Sequence, residues 1–314
     1  MIGLVTADVA APLDPDLRPL ADACASHLGP DRVRIVSWDD TTVDWSGFDA
    51  VVLRSPWDYT ERLDGFLAWT RTTAERTRLV NGPGTVAWNA DKSYLAELDA
   101  RGVDIVPTTF VAPGEAAPSV DGLHVVKPTV GAGSRGARRC EPDEVADHVA
   151  LLHGLGLTAM VQPYLTRLDA EGETAHCYVP TAGPAAGVAD VTGDGASGHG
   201  LELSHVFRKG AILTSTDVEQ EGGLFAKEQI DPHRSSDAER DLADRALTTA
   251  GLLGRLDDVV YARVDVAPFR DDDGTDSFVV MELELIEPSF FLTTAPGSAE
   301  RFADRLLPRL GLDV

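Results

Sequence analysis

Lysine is nearly missing from this chain of 314 residues: there are four, Lys92, Lys127, Lys209 and Lys227, against 23 arginines. A basic residue here is arginine by default, so each lysine marks a place where a compact ammonium and a planar guanidinium are not interchangeable, as against a phosphate. Cysteine is also scarce. Cys24, Cys140 and Cys177 lie far apart and form no CxxC pair, which argues against a disulfide-stapled secreted scaffold and leaves buried free thiols. No run of about 18 or more apolar residues occurs, so a membrane span is not expected. The opening MIGLVTADVAAP has neither a basic leader nor a long apolar segment before a cleavage site, and a cytoplasmic protein is the expectation. Positive charge is outweighed throughout: a formal net charge of −24 would repel nucleic-acid phosphates and anionic lipid head groups. No nucleic-acid or membrane partner is therefore expected. The eight histidines show no metal-ligand spacing; His148 and His153 are five apart on a helix pattern and His124 sits in a strand pattern.

Apolar residues make up 43% of the chain, enough at this length for two or three packed lobes. The first part alternates strand and helix signals: IGLVTA, a helix from about Asp16 to His27, VRIVSW, DAVVLRS, and a helix from Glu61 to Arg78. That order predicts an α/β unit on a parallel sheet. All five tryptophans fall within the first 88 residues, and the Gly-Pro punctuation of NGPGT at 81 to 85 suggests a boundary. A helix around Asn89 to Arg101, strand LHVVKP, a helix at about Asp143 to His153 and strand AMVQPYL follow. The interval from Pro180 to Gly200 reads as an inserted surface loop between HCYV and LELSHVFRKG. A helix near Ser235 to Leu253, the strands VVYARVDVAPF and SFVVMELELI around RDDDGTD, and a helix from about Ser298 to Leu310 complete the chain.

The last two strands carry the strongest chemical signal. Asp265 sits on one, and Glu282 and Glu284, two apart, share a face of the other. Like charges this close on an apolar strand are costly to bury without compensation, and a divalent cation supplies it most simply. Pairing with Arg263 or exposure to water is the competing reading. In VVKPTVGAGSRG, Lys127 leaves an apolar strand just before Gly131, Gly133 and Gly136, a loop whose backbone N–H groups can approach a phosphate. It is not a Walker loop, because no GK[ST] follows.

Taken in order, NADKSYL, VVKPTVGAGSRG, MVQPYL, ARVDV and MELELIEPS resemble the ATP-grasp superfamily from about Asn81 to the C-terminus. The resemblance implies an α/β and α+β architecture: an N-terminal parallel-sheet substrate lobe over 1–85, an ATP-grasp small lobe over 86–158 and a large lobe with the metal site over 159–314. It implies ATP and Mg2+ as cofactors. Lys92 and Lys127 would be phosphate ligands, with Gly131, Gly133, Ser134 and Gly136 in the loop that closes over them. Gln162, Pro163, Tyr164 and Leu165 would form the adenine hinge and Glu173 would take the ribose hydroxyls. Asp265, Glu282 and Glu284 match the magnesium ligands, with Glu284 where asparagine is usual, and Arg263 matches the arginine that stabilises the transferring phosphoryl group.

More narrowly, LRSPWDYTERLDGFLAW, WNADKSYL and MELELIEPSFFLTTAPGSAERFAD look like the RimK-like ATP-grasp enzymes, the group that includes the cycloserine-forming cyclo-ligase. On that resemblance Arg54, Ser55, Trp57, Asp58 and Tyr59 would hold an amino-acid-like substrate, Arg54 its carboxylate and Asp58 its ammonium. Arg208 and Lys209 would meet phosphate or acyl phosphate; the segment FRKGAILTSTDVEQEGG after them has Thr and Asp where relatives carry an arginine. The implied activity is an ATP-dependent carboxylate–amine ligase working through an acyl phosphate. A ligase of two separate amino acids or peptides, a kinase of a small polyol and a non-catalytic nucleotide-binding protein stay open, as does the oligomeric state, a homodimer included.

Overall fold

A computed structural model describes residues 1–314 except 183–198, 214–219, 222–224, 227, 257, 272 and 313–314. The first unit runs β1 (Ile2–Thr6), α1 (Leu17–Leu28), β2 (Val33–Ser37), β3 (Ala50–Ser55), α2 (Leu63–Ala74) and β4 (Arg78–Leu79). Its strands form a parallel sheet in the order β2-β1-β3-β4, as the alternating signals predict. Every residue of β1 and β3 is buried, which is why IGLV and AVVL read as apolar runs before the polar Thr6, Arg54 and Ser55 at their ends. Trp38 packs edge-on against Phe66, Trp69 stacks on Phe66, and Trp45 meets Trp69 edge-on with centroids 5.2 Å apart, so most of the tryptophan concentration is one aromatic core.

The helix expected over Asn89 to Arg101 is two helices, α3 (Pro83–Asn89) and α4 (Tyr94–Asp99). Between them the Asp91 carboxylate accepts the Ser93 N–H at 2.9 Å, a local turn that competes with helical pairing. The break lets the Lys92 N–H reach the Thr129 carbonyl at 2.9 Å, tying this turn to the next unit.

That next unit is an antiparallel sheet, β5-β8-β6-β7, built from β5 (Thr109–Val111), β6 (His124–Pro128), β7 (Arg138–Cys140) and β8 (Ala159–Pro163), with α5 (Val145–Gly154) packed on it. The expected lobe boundary at 158/159 therefore needs correcting, because β8 pairs with both β5 and β6 and residues 159–163 belong to the small sheet.

The short α6 (Leu168–Glu171) leads into a five-stranded antiparallel sheet, β13-β10-β9-β14-β15. It comprises β9 (Glu173–Pro180), β10 (Leu201–Lys209), β13 (Ile230–Pro232), β14 (Ala262–Arg270) and β15 (Asp276–Glu284), and β11 (Gln220–Glu221) and β12 (Phe225–Ala226) form a separate two-residue pair between β10 and β13 in sequence. The Pro180 to Gly200 interval connects β9 to β10, and its residues 183–198 lie outside the described set. Helix α7 (Asp237–Leu252) starts on a capping box between Ser236 and Glu239. Helix α8 (Ser298–Arg309) buries Phe302, Ala303, Leu306 and Leu307 at helical spacing, against α1 and the large sheet. Among the described residues no helix is long and apolar enough to cross a membrane.

Buried polar side chains from the first 100 residues fasten onto β15 and the segment after it. Asp16 accepts the N–H groups of Phe290, Phe291 and Leu292 at 2.6, 2.8 and 2.7 Å. Asn81 donates to the Tyr261 and Leu285 carbonyls at 3.0 and 2.7 Å and accepts from Val260 at 2.9 Å. Asn89 brackets β15 in the same way through Leu283 and Leu285, at 2.7 and 2.8 Å. Asn81 itself adopts φ 52°, a left-handed conformation asparagine tolerates better than most residues. Asn81→Ala strands one donor and two acceptors in the core; it should lower unfolding free energy by roughly 3 kcal/mol or more, read as a shift in the urea midpoint at unchanged slope.

Candidate active site

A cavity of about 530 Å³ opens where the two antiparallel sheets meet the carboxyl ends of β1 and β3. One part is apolar, walled by Val106, Val125, Leu165, Leu168 and Met281. The rest is charged: Lys92, Lys127, Arg135, Lys209 and Arg263 face Glu173, Glu228, Glu282, Glu284 and Glu287. All three lysines among the described residues thus line one cavity, and Lys227 lies outside that set.

Strand pairing writes this charge pattern. On β14 and β15, Arg263 stands opposite Glu284 and Asp265 opposite Glu282, so four charged side chains occupy one face of two neighbouring strands. A register shift between Asp265 and Val266 leaves Met281 unmatched, which lets Met281 and Glu282 both line the cavity. Lys209 on β10 pairs in register with Glu173 on β9, and its ammonium also reaches Asp265 at 2.8 Å. Arg263 holds both oxygens of Asp265 at 2.9 Å and also binds Glu284 and, at 2.8 Å, the Ser289 carbonyl. Lys92 reaches Glu282 at 2.9 Å and donates to the Gly131 carbonyl at 2.6 Å. The expected alternative, pairing with Arg263, is realised for Asp265 and Glu284, while Glu282 pairs with Lys92.

The pairings divide the acids. Burial alone would raise Asp265, yet Arg263 and Lys209 hold its carboxyl below the usual range. Burial likewise opposes ionisation of Glu282, and Lys92 and Lys127 outweigh it, keeping that group low. Glu284 goes the other way: burial, reinforced by Glu282 and Asp265, outweighs Arg263 and pushes it up. Carboxylate oxygens of Asp265, Glu282 and Glu284 lie within 4.8 Å of one another. Three convergent carboxylates, one of them incompletely neutralised by the protein, are a donor set that suits a hard divalent ion such as magnesium.

Lys127, from β6, has no hydrogen-bond or ion-pair partner among the described residues, and burial lowers its pKa below the ordinary lysine range. Such an ammonium invites an anion. The loop after it carries Gly133, Ser134 and Gly136 at φ 60°, 59° and 74°, and a Cβ at Gly131 would press on Pro128 at 3.2 Å. Arg135 at its tip pairs with Glu61 of the first unit, so the loop reaches across the cavity mouth. At the apolar part Gln162 donates to Thr108 at 2.8 Å and the Tyr164 N–H to the Leu123 carbonyl at 2.9 Å. Pro163, Tyr164 and Leu165 line the cavity beside it. Glu173 lines it too, with its carboxylate committed to Lys209.

Several sequence expectations need correcting. Arg208 and Lys209 were expected together, but neighbours on a strand face opposite ways. Lys209 enters the cavity, while Arg208 donates to the Glu171 carbonyl and contacts His233 at 2.7 Å behind the sheet. Arg54 is not a substrate fork. It is 1% exposed, donates to the Pro288 carbonyl at 3.0 Å, and sits over the rings of Tyr261, Phe290 and Phe302. Ser55 is buried against Thr6 at 2.7 Å. Asp58 is taken by Arg62 and by the Trp38 indole N–H, the latter at 2.8 Å. Of the five, only Trp57 and Tyr59 line the cavity. The Thr and Asp stretch after Lys209 falls on 214–219, outside the described residues.

Glu287 is the residue that motif reading passed over. It stands three positions after Glu284, off the two-residue period, because β15 ends at Glu284. Its carboxylate accepts from the Tyr59 hydroxyl, and burial raises it to about 7.

Comparison with known proteins agrees with this layout. Residues 2–81 match the family described as the N-terminal domain of the D-cycloserine synthetase DcsG. The chain is 36% identical to the cycloserine biosynthesis protein DcsG of Streptomyces lavendulae, over 99% of each. It is similar to the crystal structure of D-cycloserine synthetase DcsG, with TM-score 0.80 and 35% identity over 98% of this chain and 99% of that one. It shares its fold with the ATP-grasp ligase PsnB, solved with a precursor peptide and AMPPNP, at TM-score 0.56 and 16% identity over 99% and 98%.

The carboxylate set makes a direct prediction. Titrated with Mn2+ in a calorimeter, Glu282→Gln should bind the ion roughly 10- to 150-fold more weakly than the unaltered chain, the loss of one charged contact. Arg208→Ala should leave the ion's affinity unchanged, and equal weakening in both variants would remove the metal assignment.

Proposed function

We propose, starting from a chain that belongs to the cycloserine-biosynthesis group of ATP-grasp ligases, that this cavity binds Mg-ATP beside an amino-acid-like carboxylate. The carboxylate is converted to an acyl phosphate and a nitrogen of the same molecule then closes a ring. The observation that carries the reading is the wall on which Lys92, Lys209 and Arg263 neutralise Glu282, Glu173, Asp265 and Glu284 while Lys127 faces them unpaired. That wall has positive groups for a polyphosphate and a carboxylate set for its metal.

In this reading the adenine occupies the apolar slot of Val106, Val125, Leu165 and Met281, against the Gln162 to Leu165 segment. Lys92 and Lys127 hold phosphate oxygens, and Arg263 and Lys209 face the group in transfer. Bound magnesium, held by Asp265, Glu282 and Glu284, supplies charge neutralisation as the phosphoryl group moves. The Gly131 to Gly136 loop shields the acyl phosphate from water, and Arg135 with Glu61 fixes its closed position. The carboxylate lies toward Trp57 and Tyr59, where the first unit closes the cavity. Carboxylates rather than polyols are favoured by the family and by a site rich in fixed cations.

The reading is tested by ADP and phosphate release with Mg-ATP over amino acids, dipeptides and O-substituted serines, with product mass recorded. Release should depend on a carboxylate and the mass should show loss of water in ring closure or condensation. Lys127→Ala and Lys209→Ala should slow turnover roughly 10- to 150-fold, each removing a charged contact. Arg208→Ala should stay within a few-fold. ATP consumption with polyols alone, or binding without turnover on any carboxylate, would sink the ligase reading.

A further inference from the structure

Three acids on the cavity wall have a cation at hand: Glu173 has Lys209, Glu282 has Lys92 and Glu284 has Arg263. Glu287 has none within salt-bridge distance among the described residues, and Lys92 and Arg263 act on it only from longer range. Its surroundings are nonetheless built with care. The Tyr59 hydroxyl donates to its carboxylate. The Trp57 indole N–H donates to its carbonyl at 3.2 Å, Arg54 to the next carbonyl, Pro288, at 3.0 Å, and Asp16 grips residues 290 to 292. Three side chains of the first unit thus fix the segment that carries Glu287, and a fourth orients its carboxylate.

Without a counter-charge this half-buried carboxyl is held partly neutral, and in this fold the open approach to Glu287 is the cavity itself. A ligand cation entering the cavity would restore its charge. A metal ion is already provided for by Asp265, Glu282 and Glu284, a cluster that does not include Glu287. The rings of Trp57 and Tyr59 line the same stretch of wall and suit an organic ammonium. We infer that Glu287, oriented by Tyr59, binds the α-ammonium of the amino-acid substrate, the task sequence reading gave to Asp58. The inference rests on the ligase reading above.

The test measures kcat and KM for the O-substituted serine turned over best and for its des-amino analogue, in the unaltered chain, Glu287→Gln and Tyr59→Phe. The unaltered chain should prefer the amino substrate. Glu287→Gln should raise its KM roughly 10- to 150-fold, the loss of a charged contact, with KM for ATP unmoved, and erase the preference over the analogue. Tyr59→Phe should shift the same preference less. Intact ATP binding in Glu287→Gln shows that it folds; if it does not, the preference in Tyr59→Phe decides alone, and an unchanged preference there overturns the inference. Two further outcomes overturn it: an unaltered chain indifferent to the α-amine, or a Glu287→Gln variant that binds ATP and keeps the preference. If no carboxylate is turned over by the unaltered chain, the ligase reading falls, and the inference with it.

Discussion

Burying charge on a sheet face requires opposite charge at a fixed distance, and this requirement organises the centre of the molecule. Asp265, Glu282 and Glu284 would repel one another on adjacent apolar strands if Arg263, Lys209 and Lys92 did not stand among them. Each cation comes from a different place: one from the same strand, one from two strands away, one from the turn between two helices. The lattice forms only when three segments distant in sequence are docked together. The same docking closes the cavity.

A lattice of paired ions is also a poised one. Lys92, Lys209 and Arg263 spend their charge on carboxylates in the free protein, and all three carboxylates of the candidate metal set are engaged. A polyphosphate with its cation brings both partners at once, so the exchange leaves no buried charge alone. Lys127 is the exception among the described lysines. With burial drawing its pKa down further than the nearby Glu282 restores it, this ammonium stands ready for an incoming anion. The glycine-rich loop beside it carries the positive φ angles that let backbone N–H groups turn toward the same place.

Specificity is handled by different means from the phosphate chemistry. The first unit contributes few side chains to the cavity, yet its buried Asp16, Arg54, Asn81 and Asn89 grip β15 and the segment that follows. That grip sets where Glu287, Ser289 and Phe291 stand on the cavity wall. Arg54, conspicuous in the sequence as a candidate substrate ligand, works as a support caged by three aromatic rings. Its role shows how a polar residue next to a site can serve the site without touching the ligand.

Periodicity and composition alone determined a good deal about this protein. Alternation of strand and helix signals predicts the parallel sheet, because buried parallel strands must be apolar on both faces. The two-residue period of a strand puts Glu282 and Glu284 on one face, and the scarcity of lysine singled out Lys92, Lys127, Lys209 and Lys227, of which the three among the described residues reach the cavity. Tertiary structure decided the rest. Strand direction sent Arg208 behind the sheet while Lys209 faced forward, and an Asp91 turn split a helix to aim Lys92. Pairing moved β8 into the small sheet, and the end of β15 released Glu287 from the alternation that would have marked it. For Lys209 and for β8 the deciding contacts join residues far apart in the chain, and local pattern carries no record of which distant partner a side chain will meet.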